Sequence, residues 1–179
     1  MSGQIILLHG PSSSGKTTLA RALQQVIELP FWHISIDHLR DSGVLPSERF
    51  ANGDFDWRDA RVSVFDGFNA SLAAYAAAGN NLIIEHILDD PRWVDDLKRL
   101  LAPFDVYFVG LHCALQTLEA REQARGDRPL GSAAQDFHQV HEGRVYDLEI
   151  DSARPVQDNV ARVLTGWRSG ERRSEFRDA

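Results

Sequence analysis

Apolar residues along the chain come in two rhythms, short unbroken runs and longer stretches with helical spacing, and the two alternate. Ile5-Ile6-Leu7-Leu8 is the first run; Leu19, Ala22, Leu23 and Val26 then recur at helical intervals until Glu28-Leu29-Pro30 breaks the pattern. Phe31 to Ile36 reads as a second strand ending at Asp37. Arg58 to Ala78 reads as a long packing helix with Val62, Phe65, Phe68, Ala70, Leu72 and Tyr75 as its apolar positions, stopped by Gly79. Asn81 to Ile87 is a third run, and Pro91 opens a helix through Trp93, Val94, Leu97, Leu100 and Leu101. Asp105 to Cys113 is almost continuously apolar, as a strand covered on both faces would be. Leu115 to Arg128 is a polar helix and turn, residues 132–145 are a short helical stretch ended by Gly143, Tyr146 to Asp151 alternates as a last strand, and Pro155 to Trp167 is a closing amphipathic helix. Residues 41–57 follow neither rhythm and read either as a loop flanking an active site or as a plain surface loop holding Phe55 and Trp57.

Strands alternating with helices, five of each, imply an α/β fold in three layers: a mainly parallel five-stranded sheet with helices on both faces. The 179 residues suit one domain, placed at residues 1–168, with 169–179 as a charged tail. Arg172, Arg173 and Arg177 alternate there with Glu171, Glu175 and Asp178, which reads as a solvated end.

The first junction between rhythms carries the chemistry. Gly10-Pro11-Ser12-Ser13-Ser14-Gly15-Lys16-Thr17, followed by Thr18, lies between a strand and a helix, which is the setting of a phosphate-binding P-loop. Glycines let the backbone curl so that its N–H groups face phosphate oxygens at the helix's positive end. Lys16 is then the ammonium for the β- and γ-phosphates, and the Thr17 hydroxyl a Mg²⁺ ligand. A dinucleotide site is excluded, because Ser12 stands where its second glycine belongs. The fold expected is thus that of a P-loop NTPase that binds ATP with Mg²⁺.

Two carboxylates end later strands. Asp37 is placed to take a proton from an acceptor hydroxyl, to hold Mg²⁺ through water, or simply to cap the helix that follows. Glu85 closes the third run as a Walker-B-type acid does and is the other candidate to hold Mg²⁺ through water; His86 beside it either touches an acceptor or is hydrogen-bonded inside the fold. Arg121, Arg125 and Arg128 share a side of the polar helix and turn. Arg125 and Arg128 read best as a small lid, about residues 121–131, that clamps phosphates; the alternative is a helix laced by Glu119 and Glu122.

Composition narrows the partners. Of 19 basic residues only Lys16 and Lys98 are lysines, so the lysine in the loop stands out from an arginine-rich background. A net charge of −7 argues against a general nucleic-acid surface. No run is long enough to span a bilayer, and a cytoplasmic protein is expected. Cys113 is the sole cysteine, and His138 and His141 lack the spacing of a zinc-binding helix pair.

With these residues in view the chain resembles the chloramphenicol phosphotransferase family, small P-loop kinases related in fold to shikimate, gluconate and nucleoside monophosphate kinases. The resemblance runs from Ile5 to about Ser152. It is carried by the loop, the Asp37 segment, Val109 to Cys113, Arg125-Gly126-Asp127-Arg128, and His141-Glu142-Gly143 with Tyr146 to Asp151. It implies transfer of the γ-phosphoryl of ATP to a small-molecule hydroxyl, with Asp37 as the base and an arginine lid at Arg125 and Arg128. The chain departs from the family pattern at Glu85-His86, where the antibiotic-modifying enzyme has two successive aspartates, and across residues 38–57. An alternative is a kinase of another metabolite, sugar or nucleotide; a further one is a nucleotide-binding regulator without transfer activity.

Overall fold

The fold follows from how the apolar runs are stacked. The computed structural model describes residues 2–125 and 131–177. Its strands are β1 (Gln4–His9), β2 (Phe31–Ser35), β3 (Asn81–His86), β4 (Asp105–His112) and β5 (Leu148–Asp151). Its helices are α1 (Lys16–Gln24), α2 (Ile36–Asp41), α3 (Ser47–Ala51), α4 (Trp57–Ala77), α5 (Pro91–Leu101), α6 (Leu115–Arg125), α7 (Ser132–Gln139) and α8 (Val156–Ser169). The strands form one parallel sheet in the order β2-β3-β1-β4-β5.

Alternation along β1 divides the core. Ile5 and Leu7 point into a cluster with Phe68 and Leu72 of α4 and Trp93 and Leu97 of α5; Ile6 and Leu8 point into a second with Leu19 and Leu23 of α1 and Val163 and Leu164 of α8. Helices thus cover both faces, as the uninterrupted apolar runs require. The chain leaves β1 toward β3 and β2 on one side and later returns to β4 and β5 on the other. That reversal opens a crevice beyond the carboxyl ends of the strands, where β1 delivers the loop.

Several expectations shift. On α4 the buried positions are Phe68, Asn69, Leu72 and Ala76, whereas Val62, Ala70 and Tyr75 face outward. Tyr75 lies instead against Trp32, with ring centroids 5.6 Å apart. The irregular stretch after Asp41 contains α3, and α7 ends at Gln139 rather than near residue 145. The last strand begins at Leu148, because Tyr146 and Asp147 turn into the body: Asp147 Oδ2 accepts from the Phe108 amide at 2.7 Å. The charged end is not simply solvated. Arg172 binds Asp105 at 2.7 and 3.0 Å, and Phe176 is buried with its ring 4.9 Å from that of Phe108. Among the described residues no helix is long and apolar enough to cross a membrane.

Candidate active site

Backbone geometry makes the loop. Ser13 (φ 63°) and Gly15 (φ 98°) take left-handed conformations, which curl the chain into the start of α1 at Lys16. Gly10 lies so close to β4 that an added Cβ would stand 2.6 Å from the Leu111 carbonyl oxygen. The buried Lys16 ammonium donates to the carbonyls of Gly10 and Pro11, both at 2.8 Å. From α7, Asp136 Oδ2 accepts from the Ser12 amide at 2.9 Å, so a carboxylate rests on a loop N–H of the kind that receives phosphate. Ser14 Oγ is buried without a hydrogen-bond partner among the described residues.

Beside the loop, β3 brings up Glu85. Its Oε2 accepts from the Thr17 hydroxyl at 2.9 Å, and its Oε1 accepts from His33 Nε2 on β2. Burial by itself would raise the pKa of Glu85, but the His33 bond and charge, Lys16 and the Thr17 hydroxyl together hold it below the ordinary value. A Thr17 hydroxyl that gives its proton to Glu85 keeps its lone pairs for a cation. Among the described residues no three His, Cys, Asp or Glu side chains cluster as a metal cage. A hydroxyl backed in this way by a carboxylate is the kind of donor that Mg²⁺ takes alongside phosphates and retained waters.

Asp37 lies in the first turn of α2. The cap of that helix is Ser35, whose Oγ accepts from the Asp37 amide at 3.2 Å, so the capping alternative for Asp37 is set aside. The Asp37 carboxylate lines the cleft and pairs with Arg40 at 3.3 Å. His86 is enclosed: its Nδ1 accepts from the Leu88 amide at 3.0 Å and its Nε2 bonds Asn69 Oδ1 at 3.2 Å. Burial, then the charges of Lys16 and Arg61, lowers its pKa to about 3, so it stays neutral. These bonds fit the reading of His86 as a histidine hydrogen-bonded inside the fold, and the residue also lines the cleft described next.

A cleft of about 550 Å³ joins these groups. Loop residues Ser12 to Thr18 form its floor; Asp37, Arg61, Phe65 and Glu85 stand on one side, and Arg121, Ile150, Arg154 and Asn159 on the other. Arg121 Nη1 donates to the carbonyls of Ser13 and Ser14 at 3.3 and 3.4 Å, so it lies against the loop itself. The Arg125 side chain, and Arg128 altogether, lie outside the described residues. His33, Arg61 and Asp136 are site residues that the sequence does not announce. Arg61 binds Asp89 at 2.8 Å and stacks 4.5 Å from the centre of the Trp93 ring, contacts made only when α4 and α5 pack together.

Comparison with known proteins bears on the family and the fold. The chain is 29% identical over 185 residues to the Mycobacterium tuberculosis protein named "Putative O-phosphotransferase Rv2636", covering 90% of this chain and 80% of that one. Its fold matches the Mycobacterium tuberculosis APS kinase solved with AMPPNP and APS (TM-score 0.70, 16% identity, 93% of this chain and 98% of that one). It also matches the Acinetobacter baumannii shikimate kinase solved with shikimate (TM-score 0.68, 17% identity, 96% of each chain). A Sinorhizobium meliloti gluconokinase shares the fold at a TM-score of 0.63 and 20% identity, over 94% of this chain and 93% of that one. The architecture is that of the P-loop kinases, and, with a family model matching residues 3–168, the chain belongs to the chloramphenicol phosphotransferase-like protein family.

Proposed function

We propose that this protein is a Mg²⁺-dependent O-phosphotransferase that moves the γ-phosphoryl of ATP to a hydroxyl of a small molecule. The observation that carries the reading is one cleft with a phosphate loop as its floor, the Thr17–Glu85 pair beside it and the Asp37 carboxylate on the wall. Lys16 and the loop amides would bind the β- and γ-phosphates, which requires Lys16 to leave the Gly10 and Pro11 carbonyls and Asp136 to leave the Ser12 amide. Thr17, with Glu85 through water, would hold Mg²⁺. Bound there, the cation neutralises charge on the phosphates.

Asp37 then acts as the base. As the acceptor oxygen forms its bond to the γ-phosphorus and the bond to the β-phosphate oxygen breaks, the hydroxyl proton passes to the Asp37 carboxylate and ADP leaves. Lys16 stabilises the charge spread over the transferring group. A lid over residues 121–131, with Arg125 and Arg128 closing on the phosphoryl, belongs to the same proposal. The family's name makes a chloramphenicol-like antibiotic one candidate acceptor. Solved structures of the same fold act on unlike acceptors, so a metabolite, sugar or nucleotide is the other. The cytoplasm, where ATP is made available, is the compartment this reading fits.

The test is acceptor-dependent ADP release, with hydroxylated antibiotics and metabolites as the panel, by the wild type and by Asp37→Asn and Asp37→Ala. Both variants should lose about 10²- to 10⁴-fold in kcat while binding ATP within about twofold of wild type. Near-normal turnover in both would remove Asp37 as the base. Tight nucleotide binding with no acceptor-stimulated turnover in the wild type would indicate a nucleotide-binding regulator instead.

A further inference from the structure

The carboxylate beside Thr17 is a glutamate, one methylene longer than the aspartate usual at a Walker-B position, and a longer side chain has more rotamers to choose among. In this chain both of its oxygens are committed. Oε2 accepts from Thr17 at 2.9 Å, while Oε1 accepts from His33 Nε2. His33 and Glu85 have side chains only 6% and 7% exposed, so the bond is made largely out of water, where charge-assisted hydrogen bonds fix orientation best. The register explains the meeting. Ser35 on β2 pairs with Glu85 on β3, which puts His33, two residues earlier on the same face, diagonal to Glu85 across the strands.

His33 has a second contact. Its ring meets that of His38 edge-on, with centroids 4.6 Å apart and planes at 80°. His38 follows Asp37 on α2, so one imidazole touches both the helix that carries the proposed base and the acid that backs Thr17. Without His33, Glu85 Oε1 would lose its fixed donor and the carboxylate could rotate away from Thr17.

We propose that His33 is a positioning residue: it braces Glu85 so that Thr17 and the acid stay set for Mg²⁺, and it ties that half of the site to α2. This rests on the nucleotide and Mg²⁺ reading above. It concerns hydrogen bonding and orientation, and outer-shell partners of this kind typically change metal affinity by about 10- to 100-fold.

The experiment measures binding, without turnover. ADP affinity is determined with EDTA and again with Mn²⁺ or Mg²⁺ for wild type, His33→Phe and His33→Gln, with thermal unfolding to check that each is folded. Phe keeps ring volume against His38 but cannot donate; Gln can donate through its amide. His33→Phe should bind metal-free ADP within about twofold of wild type and lose about tenfold of the tightening produced by metal, and His33→Gln should retain that tightening within about threefold. If His33→Phe does not fold, His33→Ala carries the same expectation. A metal effect undiminished in the non-donating variant overturns the proposal, as does a loss equal with and without metal, or a Gln variant as impaired as Phe. A wild type in which metal does not tighten ADP binding at all would remove the underlying nucleotide and Mg²⁺ reading, a separate result visible before any variant is compared.

Discussion

Tyr146 shows how a single polar atom can fasten the base of the phosphate loop. Its hydroxyl bonds His9 Nδ1 at 2.8 Å and His141 Nδ1 at 2.7 Å, and His9 immediately precedes Gly10. The proton order follows from the far end of the chain of bonds. His9 Nε2 meets the Ile87 carbonyl, which can only accept, so Nε2 carries the proton and Nδ1 accepts from Tyr146. Tyr146 in turn accepts from His141. Replacing the hydroxyl in Tyr146→Phe leaves a buried imidazole nitrogen without a donor, which should lower unfolding free energy by about 1–3 kcal/mol in urea titrations. An unchanged unfolding midpoint would show that the bonds contribute nothing. At this scale the sequence is readable where a conformation or a spacing is intrinsic, as in the loop from Gly10 to Thr17 between β1 and α1. It is silent on His33 and Asp136, because their partners lie 52 and 124 residues away and only sheet register and helix placement bring them together.

Among the elements, α7 stands in direct relation to the loop, since its Asp136 holds the Ser12 amide at 2.9 Å. A phosphate group arriving at that amide has to displace a carboxylate and would meet its negative charge. Asp136→Ala should therefore tighten ADP or ATP binding by roughly fivefold, the equivalent of about one hydrogen bond exchanged, in a calorimetric titration at fixed metal concentration. Weaker binding by the variant would instead make Asp136 a support of the loop. Element boundaries were legible where breakers stand, at Pro30, Gly79 and Pro91. They were less so where charge misleads: residues 171–177 read as solvated from their alternating signs, yet Arg172 pairs with Asp105, Arg144 pairs with Glu175, and the one aromatic among them, Phe176, is 4% exposed. On α4, too, counting apolar residues enlisted Val62 and Tyr75, whereas the face that packs is set by positions 68, 72 and 76, one turn apart.

For the whole molecule, the histidines set a pH dependence that opposes its overall charge. Burial pushes the pKa of His9 well below the ordinary 6.5, lowers His86 to about 3, and with the neighbouring His112 lowers His141 to about 4. In the unfolded chain each titrates near 6.5, so between pH 6.5 and the lowered values the unfolded state binds protons that the folded state refuses, and stability falls as pH falls. Glu85 does not interfere in this window, since a carboxylate held below its ordinary value stays ionised in both states there. The fully enclosed His86 should by itself cost about 1 kcal/mol between pH 7.5 and 5.5, from the proton that only the unfolded chain takes up there; His9 acts in the same direction, and the half-buried His141 adds less. The general field acts the other way: with a net charge of −7 and an isoelectric point near 5.4, acidification to pH 5.5 relieves self-repulsion and would favour the compact state. The two effects oppose each other, and the buried imidazoles are expected to win: urea unfolding at the two pH values should give lower stability at 5.5, and a protein as stable or more stable there would mean that relief of the net negative charge outweighs the histidines.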